Sequence, residues 1–91
     1  MKVKTLYNEV RDIAPDYFTF GLNLELPYQK LKEIEGNHSE VARKLQEVIA
    51  VWLESDAGPN WQTVVAALKE MERDALAQRI SNKYCKIRSK G

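Results

Sequence analysis

Histidine and cysteine are the side chains most often recruited as base, nucleophile or metal ligand. This chain has one of each, His38 and Cys85. A catalytic triad needs a nucleophile, a base and a group that orients the base. His38 lies in the stretch Gly36-Asn37-His38-Ser39 with no acid or nucleophile pattern beside it, so it reads as a loop residue. Cys85 has Lys83 and Lys86 close by, and neighbouring cations lower a thiol pKa. Without a base to pair with, it reads as a lone thiol near a helix end. Structural zinc takes four ligands and catalytic zinc three with a water, so one Cys and one His are too few. Neither a calcium loop nor a phosphate-cradling glycine loop is present. Glu33 and Glu35 are close in sequence but fall on different faces of a helix, which does not suit paired acid-base work. Ser39 and Ser55 read as capping or loop residues. Tyr17, Trp52 and Trp61 could serve as stacking platforms for bases. Each stands on an apolar stripe or at a helix start, where core packing is the expected role. No cofactor, metal or small-molecule substrate is therefore expected, and no catalysis.

Surface charge is what remains. Lys30, Lys32, Arg43, Lys44 and Arg73 interleave with Glu33, Glu47, Glu54, Asp56 and Asp74. Mixed charge of this kind is by default a solvated face. Its functional reading is a mosaic of plus and minus patches that selects a partner by complementarity.

Short helices must carry these residues. Breaks at Pro15, Gly21, Pro27, Gly36-Asn37-His38, Gly58-Pro59-Asn60 and around Glu72 divide the chain into about six segments. In the first, from Thr5 as N-cap to Ala14, Leu6, Val10 and Ile13 share a face, and Pro15 is expected to end the helix. From Asp16 to Leu26, Phe18, Phe20, Leu22, Leu24 and Leu26 alternate as in a strand, while Tyr17, Phe20, Gly21 and Leu24 follow helical spacing. A lone strand has no ladder partner, so a helix capped by Asp16 is expected, with Gly21 at a close helix contact. Pro27 opens a third helix that buries Leu31 and Ile34, turns Lys30, Lys32 and Glu33 outward, and stops at Gly36. A fourth, from about Ser39 to Glu54, carries the stripe Val41, Leu45, Val48, Ile49, Trp52 and Leu53. Asn60 caps a fifth with Trp61, Val64, Val65 and Leu68. A sixth runs from near Arg73 to Ile87 with Leu76, Ile80, Tyr84 and Ile87 on one face. Segments this short are marginal alone in water, so their apolar faces are expected to pool in one bundle.

Composition agrees with a bundle. The chain has 91 residues, 44% hydrophobic and 30% charged, enough for one small globular domain over 1–91 with its core about 5–87. The net charge is +1, whereas duplex binding calls for a clear basic excess, so nucleic acid is an unfavoured partner. No apolar run approaches the roughly 18 residues of a membrane span, and no signal-peptide apolar region follows Met1-Lys2-Val3-Lys4. A single cysteine points to a reducing compartment, hence a cytoplasmic location.

The ordered apolar markers resemble the death-domain family. Tyr17, Phe20 and Leu24, then Leu31 and the pair Ile34-Glu35, match the markers of its second and third helices. Ile49 with Trp52-Leu53, then Trp61, Val64, Ala67 and Leu68, then Ala75 to Ile80 continue the series. Arg73-Asp74-Ala75-Leu76 is similar to an Arg-x-Asp-Leu element that favours death domains over their death-effector and caspase-recruitment relatives. The chain departs from the pattern in having Tyr17 for a usual Trp and Gly21 for a common Ala. The resemblance, over about Leu6 to Tyr84, implies an all-α, six-helix antiparallel Greek-key bundle without cofactor or catalysis. It also implies homotypic docking onto other death domains in an apoptotic or immune-type adaptor assembly. The family's interface residues vary, so the docking candidates rest on expected exposure. They are Lys30, Lys32, Glu33, Arg43, Lys44, Glu47, Glu54, Asp56, Arg73 and Asp74. Two alternatives stand beside this reading: a small nucleic-acid-binding domain using Lys83, Lys86, Arg88 and Lys90, and a structural domain of a larger protein.

Overall fold

The computed structural model describes residues 2–55 and 59–85. Among them are six α-helices and one 3₁₀ segment: α1 (Val3–Val10), the 3₁₀ segment (Arg11–Asp16), α2 (Tyr17–Asn23), α3 (Tyr28–Asn37), α4 (Val41–Leu53), α5 (Trp61–Glu70) and α6 (Asp74–Tyr84). No strand occurs among the described residues, so the alternating run Phe18 to Leu26 resolves as a helix. Tyr17, Phe20, Gly21 and Leu24, the residues at helical spacing, are all buried.

α4 is the hub. It packs on α1, the 3₁₀ segment, α2 and α3, while α2 reaches α5, and α5 pairs with α6. Helices distant in sequence are thus spatial partners, as in the Greek-key bundle expected. One hydrophobic cluster runs through it, with Leu6, Ile13, Phe20, Leu31, Leu45, Ile49, Trp52, Leu68 and Ile80 among its buried members. No buried side-chain nitrogen or oxygen lacks a hydrogen-bond partner among the described residues, as a small core requires.

Gly21 lets α2 and α3 approach. A Cβ built there would collide with Leu31 Cδ2. The helix it occupies ends in a Schellman turn: Leu26 N–H donates to Gly21 C=O (3.1 Å) and Glu25 N–H to Leu22 C=O (2.9 Å). α5 ends in the same way, with Arg73 N–H on Leu68 C=O (2.9 Å) and Glu72 N–H on Lys69 C=O (3.0 Å). Glu25 and Glu72 therefore hold φ of 67° and 62°, where glycine is the usual occupant.

Several local expectations differ from the structure. α1 begins at Val3, so Thr5 lies inside it and is no cap. Pro15 does not end a helix but sits in the 3₁₀ segment, where a break at Ile13 (φ −99°, ψ 16°) resets the turn. Asp16 precedes α2 without capping it, because its carboxylate is engaged elsewhere. Gly36 lies within α3, and the helix runs one residue further, to Asn37. Ser39 and Asn37 do not cap α4, which follows Glu40 in extended conformation. Val41, the first residue of α4, is 42% exposed and so outside the core stripe expected of it. Leu76 is half-buried, and Ala77 instead joins Ile80 in the core. The cap at Asn60 is formed, its side chain accepting from Thr63 N–H at 2.8 Å. Ile87 and Gly58 lie outside the described residues.

Candidate functional site

The charged residues of α3 and α4 meet across α2. On α3, Lys30 pairs with Glu33 at 3.6 Å and Lys32 with Glu35 at 2.9 Å. Lys30, Lys32 and Glu33 are exposed and Glu35 is half-exposed, and pairs of this kind contribute little to stability. Glu35, which was not a candidate, turns towards α2. The Lys32 ammonium holds the Glu35 carboxyl below its ordinary range, with a smaller contribution from Lys44. Burial, then the nearby Glu35 charge, pushes the Tyr17 phenol up. Lys44 is only half-exposed, because its ammonium lies 5.4 Å from the centre of the Tyr17 ring. Its expected free exposure is corrected by that contact. Lys32, Glu35, Tyr17 and Lys44 thus form one polar cluster spanning three helices. Arg43 and Glu47 on α4 and Glu54 at its C-cap are exposed and make no ion pair among the described residues. Asp56 lies outside the described residues.

Arg73 and Asp74 stand apart at the start of α6. Arg73 Nη2 donates to Asp16 Oδ2 at 2.8 Å, tying α6 to the 3₁₀ segment. Arg73 is exposed, as expected, and its guanidinium also holds this contact within the fold. Asp74 lies in the first turn of α6, where a negative charge suits the helix dipole. Both line an open cleft with Asp12, Glu72, Leu76 and Arg79.

Glu9, which the sequence did not single out, ties α1 to α6. Its Oε2 accepts from Lys83 Nζ at 2.6 Å and from Tyr84 Oη at 2.9 Å, and its backbone carbonyl accepts from Arg79 Nη2 at 3.2 Å. The Lys83 hydrogen bond holds the Glu9 carboxyl below its ordinary range, against the opposing effect of burial and helped by Tyr84. Glu9 in turn raises Lys83 and Tyr84. No sequence signal marks it, since its partners lie seventy or more residues away. Lys83 is thereby withdrawn from the basic patch of the nucleic-acid alternative, and Lys86, Arg88 and Lys90 lie outside the described residues. Trp61 stacks on Tyr84 at 3.8 Å with an interplanar angle of 7°, so one face of its indole is covered. Tyr17 is buried and Trp52 is 1% exposed, leaving neither available to a base. An apolar ridge is exposed instead on α2 and the start of α3: Leu22, and Tyr28, whose ring meets Phe18 edge-on at 5.5 Å.

The described residues hold no cluster of His, Cys, Asp or Glu suited to a metal ion, and no helix among them is long and apolar enough to cross a membrane. A family model described as Death domain matches residues 1–84. No curated protein and no solved structure is significantly similar to the chain.

Proposed function

Since the chain belongs to the death-domain family, we propose that it docks homotypically onto other death domains, its own copies included, in a cytoplasmic signalling assembly of the apoptotic or immune adaptor type. Death domains are protein-interaction modules of signalling, not enzymes. The observation that carries the reading is the state of the α4 charges. Arg43, Glu47 and Glu54 are exposed and make no ion pair among the described residues, so their Coulombic capacity is available to a partner. Complementary charge steers encounter and sets register, while like-charge contacts reject wrong partners. Lys30, Lys32 and Glu33 on α3 belong to the same reading, as does Asp56 by its charge in the sequence. Asp74 belongs to a second patch, beside Arg73. Lys44 and Arg73 belong to the same reading, each also holding a contact within the fold. Two different patches meeting head to tail make a heterologous contact, which propagates when its rotation does not close.

Light scattering after size exclusion, over a range of concentrations at low and high salt, tests this. Species that grow with concentration and shrink with salt are expected. Arg43→Glu is expected to abolish that growth with Tm unchanged. If the chain stays monomeric, the same variant is tested for binding to purified death domains. Binding that survives reversal of every charge named above overturns the surface assignment.

A further inference from the structure

We infer that α6 is fastened to α1 by a charge-operated clasp centred on Glu9, and that it opens as a unit while the remaining helices stay folded. α6 packs chiefly on α5, its neighbour in sequence, and buries only Ala77 and Ile80. By contrast, α4 buries Leu45, Val48, Ile49 and Trp52 and contacts most of the bundle. Towards α1 and the 3₁₀ segment, α6 and its N-cap make four polar attachments: Lys83 and Tyr84 on Glu9 Oε2, Arg79 on the Glu9 carbonyl, and Arg73 on Asp16. Two of these meet on a single carboxylate oxygen, so one charge governs both. Glu9 is 12% exposed and Lys83 57%, which places the clasp at the rim, within reach of solvent ions.

Short helices draw their stability from docking, and elements with few buried apolar contacts open first. A charged attachment is also weakened by salt, whereas apolar packing is not. The clasp therefore makes α6 the element whose opening responds to charge. Opening uncovers Ala77 and Ile80 and the bundle surface beneath them. The inference stands on the contacts of α6 and is independent of the docking surface on α3 and α4.

Hydrogen exchange of the full chain tests it, followed by mass spectrometry at low and high salt in the unaltered chain and in Glu9→Ala. Amides of residues 78–84 are expected to exchange about tenfold faster in Glu9→Ala, and faster at high salt in the unaltered chain, while those of α4 keep their protection. Lys83→Gln combined with Tyr84→Phe, approaching the clasp from the other side, is expected to reproduce the effect. Protection of α6 and α4 that falls together, or α6 exchange that ignores both salt and substitution, overturns the clasp. Should Glu9→Ala unfold the whole chain, the salt comparison decides.

Discussion

Replacing Gly21 with alanine is expected to destabilise the chain, and the cost is expected to disappear when Leu31 is shortened as well. The added Cβ would overlap Leu31 Cδ2 and stand 3.3 Å from Cδ1 and 3.4 Å from Cγ. Leu31 is 0% exposed, so its side chain cannot swing into solvent to make room. Overpacking of this kind costs roughly 1–3 kcal/mol. Helix propensity returns about 1 kcal/mol, because Gly21 lies inside α2. The net loss is then about 1 kcal/mol, or a Tm lower by about 4–8 °C for a domain of this size. Leu31→Ala alone opens a cavity and costs roughly 2–5 kcal/mol. In the double variant the new methyl fills part of that cavity, and the overlap is gone. The two effects should therefore fall short of their sum by about 1–3 kcal/mol. Chemical denaturation of the four proteins, with a common m-value, measures this coupling. Additivity within about 0.5 kcal/mol, or a Gly21→Ala variant more stable than its parent, would refute the reasoning.

Three other predictions follow from local geometry. Glu72→Gly, and independently Glu25→Gly, should stabilise the chain by about 0.5–1 kcal/mol in thermal unfolding, since φ near 60° burdens any residue with a Cβ. Asn60→Ala should cost about 1 kcal/mol through loss of the α5 cap, and Asn60→Asp should restore most of it. Glu9→Ala should lower Tm by a few degrees at neutral pH. The folded Glu9 carboxyl lies below its ordinary value of 4.5, so its stabilisation is complete above that value and fades as pH falls through the lower folded one. The gap in Tm between the two proteins should accordingly narrow in acid, and a gap independent of pH would refute the assignment.

Periodicity located most of the core. Leu6 and Val10, then Tyr17, Phe20 and Leu24, then Leu45, Val48, Ile49 and Trp52 are buried as their spacing requires, because a helix brings residues three and four apart onto one face, while Ile13 is buried from the 3₁₀ segment. The ordered markers also carried the family, and Gly21 announced a close approach whose partner, Leu31, only the packed helices identify. The ends of helices were less legible. Asp16 has the chemistry of a cap, but a guanidinium fifty-seven residues away takes its carboxylate. Glu25 and Glu72 stand where glycine signals a C-terminus, so the breaks at Pro27 and around Glu72 were legible while the Schellman geometry was not. The polar site divides in the same way. Sequence alone named the exposed charges of α3 and α4, since residues off an apolar stripe face solvent. Which of them are already engaged was decided by tertiary structure, because Lys44 over Tyr17, Arg73 on Asp16 and Lys83 on Glu9 join helices whose mutual placement no local spacing encodes.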